Sequence, residues 1–244
     1  YLPLASGYWK TFGKPLDAFW CCTGTGSEEY AKLGDTIYFH DDNSIYVNLY
    51  IDSQVQWPEK GMRFKQETRF PEQQGTTITV LADKPAQLAV NLRIPYWVRG
   101  GNVKINGTAL PAFASSSSYL TLNRTWKSGD KIELSLPMDL HIDAMPGDET
   151  VQAAMYGPLV LAGRFDAVPN EMSYGDPGPK AGAEQKVPDI IAPSSNPTAW
   201  IEPDGRQPLT FHAVGQSQPI TMVPLYQVLH NCYAVYWKVP HKTT

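Results

Sequence analysis

Two adjacent cysteines, Cys21 and Cys22, are the residues of this 244-residue chain best suited to chemistry. A disulfide between neighbouring residues is strained, because the preferred bridge needs a larger Cα separation than a trans peptide allows. Three interpretations are therefore open: the thiols bind a metal ion, one of them reacts as a nucleophile, or both pack as small hydrophobic side chains.

The residues after the pair predict a helix. Thr25 and Glu28 have the spacing of a capping box, and Gly34 is typical of a helix C-terminus. We therefore predict a helix from about residue 26 to residue 33. Backbone N–H groups at its start would place partial positive charge near the cysteines. Such charge lowers the pKa of a thiol, so at least one of the two could be a thiolate near neutral pH.

The cysteine pair by itself is too small a ligand set for zinc, which usually takes three or four protein ligands. The third cysteine, Cys232, is far along the chain, and the five histidines are scattered singly. If Cys21 and Cys22 bind zinc, we expect their partners to lie outside these 244 residues.

The composition indicates a turn-rich β protein. Apolar residues make up 42% of the chain and charged residues only 18%, while 21 prolines and 19 glycines supply many turns. The net charge is −4 and no basic stripe is interleaved with aromatic residues, so we expect no nucleic-acid partner. The apolar run at 151–163 is too short to span a bilayer, so no membrane span is predicted.

Short strand-like segments separated by turns begin near residue 36 and predict antiparallel β-sandwiches. The first two segments, at 36–39 and 44–51, read as a hairpin. Asp41 and Asp42 between them could form a carboxylate pair, but turn chemistry is the better interpretation. Arg93 could bind a substrate hydroxyl or carboxylate, although a structural role on its strand is the better interpretation.

We divide the chain into three parts: residues 1–36, a loop with one short helix; residues 37–141, a first β-sandwich; and residues 142–244, a second. Within the last part, residues 166–197 are rich in proline, glycine, alanine and serine and predict a long, partly disordered surface loop. The predicted fold class is thus mainly β, with two antiparallel sandwich-like units.

Several other residues invite a functional interpretation but favour a structural one. Tyr1, Tyr8 and Trp9 could stack on sugar rings, yet large aromatic side chains are usually buried in a core. Cys232 is predicted to be a buried thiol beside the last strand. His230 has no visible metal partner at a useful spacing.

An ordered set of short motifs along the chain resembles the bacterial β-L-arabinofuranosidases of glycoside hydrolase family 127 and the related family 146. The motifs span nearly the whole chain: YLPLASG at 1–7, KTFG at 10–13, FWCCTGTG at 19–26, IYVNLYI at 45–51, LRIPYW at 92–97, VKING at 103–107, RTWKSGD at 124–130, GPLV at 157–160 and YAVYW at 233–237.

This resemblance implies a retaining glycosidase in which Cys21 is the nucleophile and forms a thioglycosyl intermediate. Cys21 and Cys22 would both bind zinc, together with a glutamate and a third cysteine from an earlier segment. The expected substrate is an L-arabinose-containing plant-type glycan, and by family habit the location is periplasmic or extracellular.

Members of the family are much longer than this chain and carry a helical catalytic barrel before the cysteine pair. The resemblance therefore implies that residues 1–36 are the remnant of an (α/α)6 barrel, whose main part is the chain's partner upstream. The acid/base residue and the other zinc ligands would lie there as well. We therefore expect this chain to be inactive alone.

Two rival functions remain open on the sequence. One is a non-catalytic accessory sandwich that binds glycans or packs against a separate catalytic domain, with both cysteines merely buried. The other is a structural zinc site without turnover.

Overall fold

The computed structural model of the chain describes residues 2–14, 16, 19–169, 182–188, 190, 192 and 194–238. These residues form one α-helix, α1 (Cys21–Lys32), and eighteen β-strands, and short 3-10 helices lie at Leu33–Thr36, Pro58–Lys60, Pro197–Ala199 and Leu225–Gln227. The prediction of a mainly β chain is confirmed. No helix within the described ranges is long and apolar enough to cross a membrane.

The strands, in chain order, are β1 (Tyr38–His40), β2 (Ser44–Val47), β3 (Ser53–Trp57), β4 (Met62–Glu67), β5 (Gly75–Ala82), β6 (Ala86–Ile94), β7 (Asn102–Ile105), β8 (Thr108–Ala109), β9 (Ser118–Trp126), β10 (Lys131–Ser135), β11 (Leu140–Met145), β12 (Asp148–Tyr156), β13 (Leu159–Ala167), β14 (Ile201–Pro203), β15 (Phe211–Ala213), β16 (Ile220–Pro224), β17 (Asn231–Ala234) and β18 (Tyr236–Lys238).

The chain forms two compact units. One contains Tyr1–Gly24 together with Leu140–Thr244, and the other contains Thr25–Asp139. We call them the terminal unit and the central unit. The predicted domain boundaries at residues 36 and 141 concern the domains of a longer protein and stay a prediction.

The central unit is built from two sheets. The four-stranded sheet has the order β1-β2-β6-β9, and the six-stranded sheet has the order β3-β4-β5-β10-β7-β8. Strands β4, β7 and β10 bury every second side chain, as in β4, where Met62 and Phe64 are buried while Arg63 and Lys65 are exposed. This alternation gives each sheet one apolar face, which is the pattern of a sandwich.

One strand pair of the central unit departs from the predicted antiparallel arrangement. β2 and β6 pair in parallel, with Ser44 opposite Ala89 and Val47 opposite Leu92. Parallel neighbours need a long connection. Here the connection runs through β3, β4 and β5, which belong to the other sheet.

The β1–β2 hairpin is confirmed, and Asp41 is its turn residue as predicted. One carboxylate oxygen of Asp41 accepts the Asn43 N–H at 2.9 Å, and the other accepts the Tyr46 hydroxyl at 3.1 Å. The Asn43 N–H and then the Tyr46 hydroxyl hold the pKa of the Asp41 carboxyl below its usual value.

The turn after β7 is formed by Asn106 and Gly107, which both have positive φ angles, 51° and 80°. Two such residues make the tight hairpin loop that asparagine followed by glycine favours. The Asn106 amide also donates to the buried Asp130 carboxylate at 2.9 Å and accepts the Lys131 N–H at 2.8 Å. The side chain therefore ties this turn to the start of β10.

The terminal unit contains an eight-stranded sheet with the central order β11-β12-β13-β16-β15-β14, to which β17 and β18 add by pairing with β13 and β12. The sequence also predicts two strands separated by a break at Gly157-Pro158. The structure confirms them as β12 and β13. Most of the predicted surface loop at 166–197 lies outside the described residues. At one described position, Ile190, the chain is fully buried in the apolar core, so this point is packed rather than exposed.

The segment at the beginning of the chain is hydrogen-bonded to strand β17. The Gly7 N–H donates to the Tyr233 carbonyl at 2.8 Å, and the Tyr233 N–H donates to the Tyr8 carbonyl at 3.0 Å. Gly7 has φ +85°, and a Cβ there would lie 2.0 Å from the Gln185 carbonyl oxygen. A larger residue is excluded at this position.

Trp9 lies in the core of the terminal unit, as predicted, where it packs with Val168 and Cys232. Tyr8 is half-buried. The prediction for Tyr1 falls on a residue outside the described part of the chain.

Candidate functional site

The cysteine pair lies in the first turn of α1. The helix begins at Cys21, and the Trp20 carbonyl accepts the Thr23 N–H at 2.9 Å just before it. The prediction that the helix begins near residue 26 was wrong, because the capping-box spacing at Thr25 falls inside the helix. Two glycines in the first two turns, each costing about 1 kcal/mol relative to alanine, did not stop the helix from extending back to the cysteines.

Both thiols of the pair are exposed to solvent, and no residue of α1 is buried. In this chain neither thiol is buried, which differs from the interpretation of Cys21 and Cys22 as buried, inert thiols. The two Sγ atoms are 3.7 Å apart and are not joined in a disulfide. They are consequently accessible to a metal ion, a reagent or another part of a longer protein.

The separation of the two sulfur atoms fits a shared zinc ion. With Zn–S distances of about 2.3 Å and tetrahedral angles, two thiolates on one zinc lie roughly 3.8 Å apart. The observed separation is 3.7 Å. Within the described ranges no group of three or more His, Cys, Asp or Glu side chains could hold a metal, so a metal ion at this pair would need further ligands.

Cys232 differs from the pair in its burial. It is fully buried, as predicted, and burial together with the nearby charge of Asp166 raises the pKa of its thiol to about 11. At neutral pH this cysteine is therefore a thiol rather than a thiolate, which makes it a poor nucleophile.

This difference predicts selective alkylation. Iodoacetamide at pH 8 should modify Cys21 and Cys22 of the folded chain at least roughly tenfold faster than Cys232, because only the pair is exposed and the thiolate is the reacting form. Peptide mass spectrometry of timed samples measures the three rates. In guanidinium chloride the rates should converge, and modification of Cys232 as fast as the pair in the folded chain would contradict the prediction.

Two pairs of polar side chains in the terminal unit were not predicted from the sequence. The Tyr8 hydroxyl donates to the Glu184 carboxylate at 2.5 Å, which raises the pKa of Tyr8 and lowers that of Glu184. His212 Nε2 lies 2.8 Å from Asp204, and this contact is the largest cause that lowers the pKa of Asp204. Neither pair belongs to a metal-binding group among the described residues.

The remaining candidates have structural roles. Arg93 is half-buried on β6, and its Nε donates to the Asn48 carbonyl at 2.6 Å, in line with the structural interpretation. His230 is in no metal-binding group of the described residues, and His241 lies outside them.

Two open cavities of about 370 Å³ lie away from the cysteine pair. In the central unit, Glu67, Lys104 and Glu133 contribute to a polar one. The cavity in the terminal unit is mainly apolar and includes Lys10, which donates to the Leu225 carbonyl at 2.6 Å. Burial lowers the pKa of this ammonium group.

Comparison with known proteins relates the chain to one hydrolase family. Residues 44–138 match the family model described as the middle domain of GH127 β-L-arabinofuranosidases. No curated protein matches the chain. The motif-based resemblance to this family is confirmed.

Solved structures share the fold. A GH127 β-L-arabinofuranosidase from Geobacillus stearothermophilus T6 is 20% identical with a TM-score of 0.66, over 93% of this chain and 39% of that protein. A structure described as a glycoside hydrolase is 19% identical with a TM-score of 0.69, over 92% and 40%. A GH127 β-arabinofuranosidase is 18% identical with a TM-score of 0.62, over 90% and 38%. The chain thus spans about two fifths of the length of these relatives.

Proposed function

Because residues 44–138 match the GH127 middle domain, we propose that this chain is the C-terminal part of a longer retaining glycoside hydrolase that releases L-arabinofuranose from plant-type glycans. In this proposal Cys21 is the nucleophile. The observation that carries the proposal is the pair of exposed, adjacent thiols in the first turn of α1, with sulfur atoms 3.7 Å apart. The matched domain begins at residue 44, after this helix and strand β1.

In this proposal Cys21 and Cys22 also hold a zinc ion. The exposed pair fits such an ion in ligand type and in sulfur separation, and its remaining ligands would come from the upstream part of the enzyme. When bound, zinc keeps a thiol deprotonated at neutral pH.

The Cys21 sulfur has two tasks in a retaining mechanism. It attacks the anomeric carbon, the bond from this carbon to the leaving oxygen breaks, and an upstream carboxylic acid protonates the departing oxygen. Water, deprotonated by the same carboxylate, then displaces the sulfur and releases the sugar. Two inversions at one carbon leave its configuration unchanged.

The proposal places the acid/base upstream of this chain. A retaining hydrolase needs that group about 5–5.5 Å from its nucleophile when both are carboxylates. The solved relatives are about two and a half times as long as the stretch that this chain covers in them. We therefore propose that the chain is inactive when isolated.

The test compares the longer protein with the isolated chain on an aryl β-L-arabinofuranoside, and measures the zinc content of both by mass spectrometry. We expect hydrolysis and zinc in the longer protein, no hydrolysis by the chain alone, and loss of zinc in a Cys22→Ser variant of the longer protein. A Cys232→Ala variant controls for the loss of a cysteine. Hydrolysis by the isolated chain, or a longer protein without zinc and activity, would contradict the proposal.

A further inference from the structure

The outer face of the four-stranded sheet in the central unit carries three aromatic side chains. Ile45, Val47 and their partners on β6 are buried inside the sandwich, so the alternate residue Tyr46 faces outward. Phe39 lies opposite Tyr46 in the β1–β2 register, and the Tyr119 ring packs edge-on against Tyr46 with centroids 5.5 Å apart. Phe39 is 48% exposed and Tyr119 is 41% exposed, so these rings are available for a partner.

Amide and hydroxyl groups cover the rest of this outer face. On β6 and β9 they form cross-strand pairs: Thr121 donates to the Asn91 amide oxygen at 2.7 Å, and the Gln87 amide donates to Asn123 at 2.8 Å. Thr125 donates to the Gln87 amide oxygen at 2.8 Å. These hydrogen bonds hold the polar groups in place before any ligand arrives, which lowers the entropic cost of binding.

The charged groups of the face are already engaged within the protein. Arg93 is the charged side chain that points outward from these four strands, and its Nε donates to the Asn48 carbonyl. Asp41, in the adjoining turn, accepts the Tyr46 hydroxyl at 3.1 Å. The face therefore offers rings and neutral hydrogen-bonding groups rather than net charge.

The chemistry of the face distinguishes between classes of partner. The core of a protein-docking surface is more apolar than the rest of the surface, whereas the β6 and β9 part of this face carries hydrogen-bonded amides and hydroxyls, and the outward residues include no Leu, Ile, Val or Met. A nucleic-acid surface would need several cations. Exposed rings flanked by neutral amides and hydroxyls fit a partner with weakly polar C–H faces and many hydroxyl groups.

From this arrangement we infer that the outer face of sheet β1-β2-β6-β9 is a binding site for a neutral glycan. Phe39 and Tyr119 stack on the C–H faces of sugar rings. The edge-on contact with Tyr46 fixes the orientation of the Tyr119 ring. Amides and hydroxyls such as Asn123 and Thr125 bond to the sugar hydroxyls. The site needs no catalytic group, and it does not depend on the proposed function of Cys21.

Affinity electrophoresis of the 244-residue chain tests this site. Native gels would contain linear arabinan, galactan or mixed-linkage β-glucan, with polygalacturonate as an acidic comparison. We expect at least one neutral polymer to retard the chain, equally at low and high salt. A Phe39→Ala, Tyr119→Ala double variant should bind that polymer roughly tenfold more weakly, because it removes both rings that stack on the sugar.

Tyr226→Ala is the matched control, because Tyr226 is also an exposed tyrosine, at 52%, but belongs to the terminal unit. It should bind like the original chain. Circular dichroism melting of each variant establishes that the exposed substitutions leave the fold intact. Cys21→Ser should also keep full retardation, which separates this inference from the proposed catalysis.

Three results would overturn the inference. The first is no retardation by any of the three neutral polymers, and the second is equal binding by the folded double variant and the original chain. The third is a preference for polygalacturonate that disappears in high salt, since this would indicate a charge-based surface.

Discussion

Replacing Cys21 by serine in the longer enzyme is expected to lower kcat/KM for an aryl β-L-arabinofuranoside by at least about a thousandfold. A serine hydroxyl is much less acidic than a thiol, so it supplies far less of the anionic nucleophile at neutral pH. The substitution changes one atom, and in this chain Cys21 lies at an exposed position in the first turn of α1. An unchanged circular dichroism spectrum of the variant would show that the loss reports on chemistry rather than on folding.

A comparison of Cys21→Ser with Cys22→Ser distinguishes a nucleophile from a metal ligand. If Cys21 forms the covalent intermediate, a slow fluorinated substrate should leave a sugar adduct on the peptide that contains Cys21 and none on the Cys21→Ser protein. Cys22→Ser removes a proposed zinc ligand but keeps the proposed nucleophile, so it should lose zinc and activity while the Cys21 thiol remains. The Cys232→Ala control should retain both.

Two outcomes would contradict the assignment of Cys21. Full turnover by the serine variant would remove its role as nucleophile. A zinc content that falls with either substitution, in an enzyme that never forms the adduct, would favour a structural metal site. In that case the upstream part of the protein would have to account for the two thiols that are exposed in this chain.

The strands of the central unit could be predicted well from the sequence, because their signals are local. Strand β7 ends at the Asn106-Gly107 turn, which has the two positive φ angles that its residue types favour. In β10, apolar and polar residues alternate in the sequence, and the apolar ones are those that are buried. In each case the residues that decide the conformation lie within a few positions of one another.

Pairings between distant parts of the chain could not be predicted in this way. The parallel register of β2 with β6 joins residues 45 positions apart, and the bond from Tyr8 to Glu184 spans 176 positions. Neither contact leaves a pattern in the local sequence. The same limit applies to Phe39, Tyr46 and Tyr119. Their types can be read from the sequence, but the local sequence does not indicate that they share one face.

The start of α1 was misplaced for a different reason. The spacing of Thr25 and Glu28 matches a capping box but lies inside the helix, and the cysteine pair before it carried no competing signal for an earlier start. The error matters for the site, because it placed the cysteines ahead of a helix rather than within its first turn. The chemical expectation of exposed thiols near a helix N-terminus does not depend on that difference.

Trp126→Ala is expected to have the largest effect on stability, lowering the free energy of unfolding of the central unit by about 3–5 kcal/mol. Trp126 ends strand β9 and is fully buried, its indole N–H donates to the Leu88 carbonyl at 3.2 Å, and the Arg124 guanidinium lies 5.1 Å from its ring centroid. Alanine would leave a cavity and an unmatched carbonyl group. Natural domains are stable by only about 5–15 kcal/mol, so the loss would remove a large share of the total.

Thr125→Ala is the matched control, because Thr125 precedes Trp126 on the same strand but points from the opposite, exposed face, where it donates to Gln87. It should cost less than about 1 kcal/mol, the usual effect of a surface substitution. Urea denaturation followed by far-ultraviolet circular dichroism measures both variants. A Trp126→Ala loss no larger than that of Thr125→Ala would mean that the sandwich interior closes around the missing ring. The sheet that carries Phe39 and Tyr119 would then have a core that tolerates rearrangement. Contacts other than this core would have to hold the two rings in position.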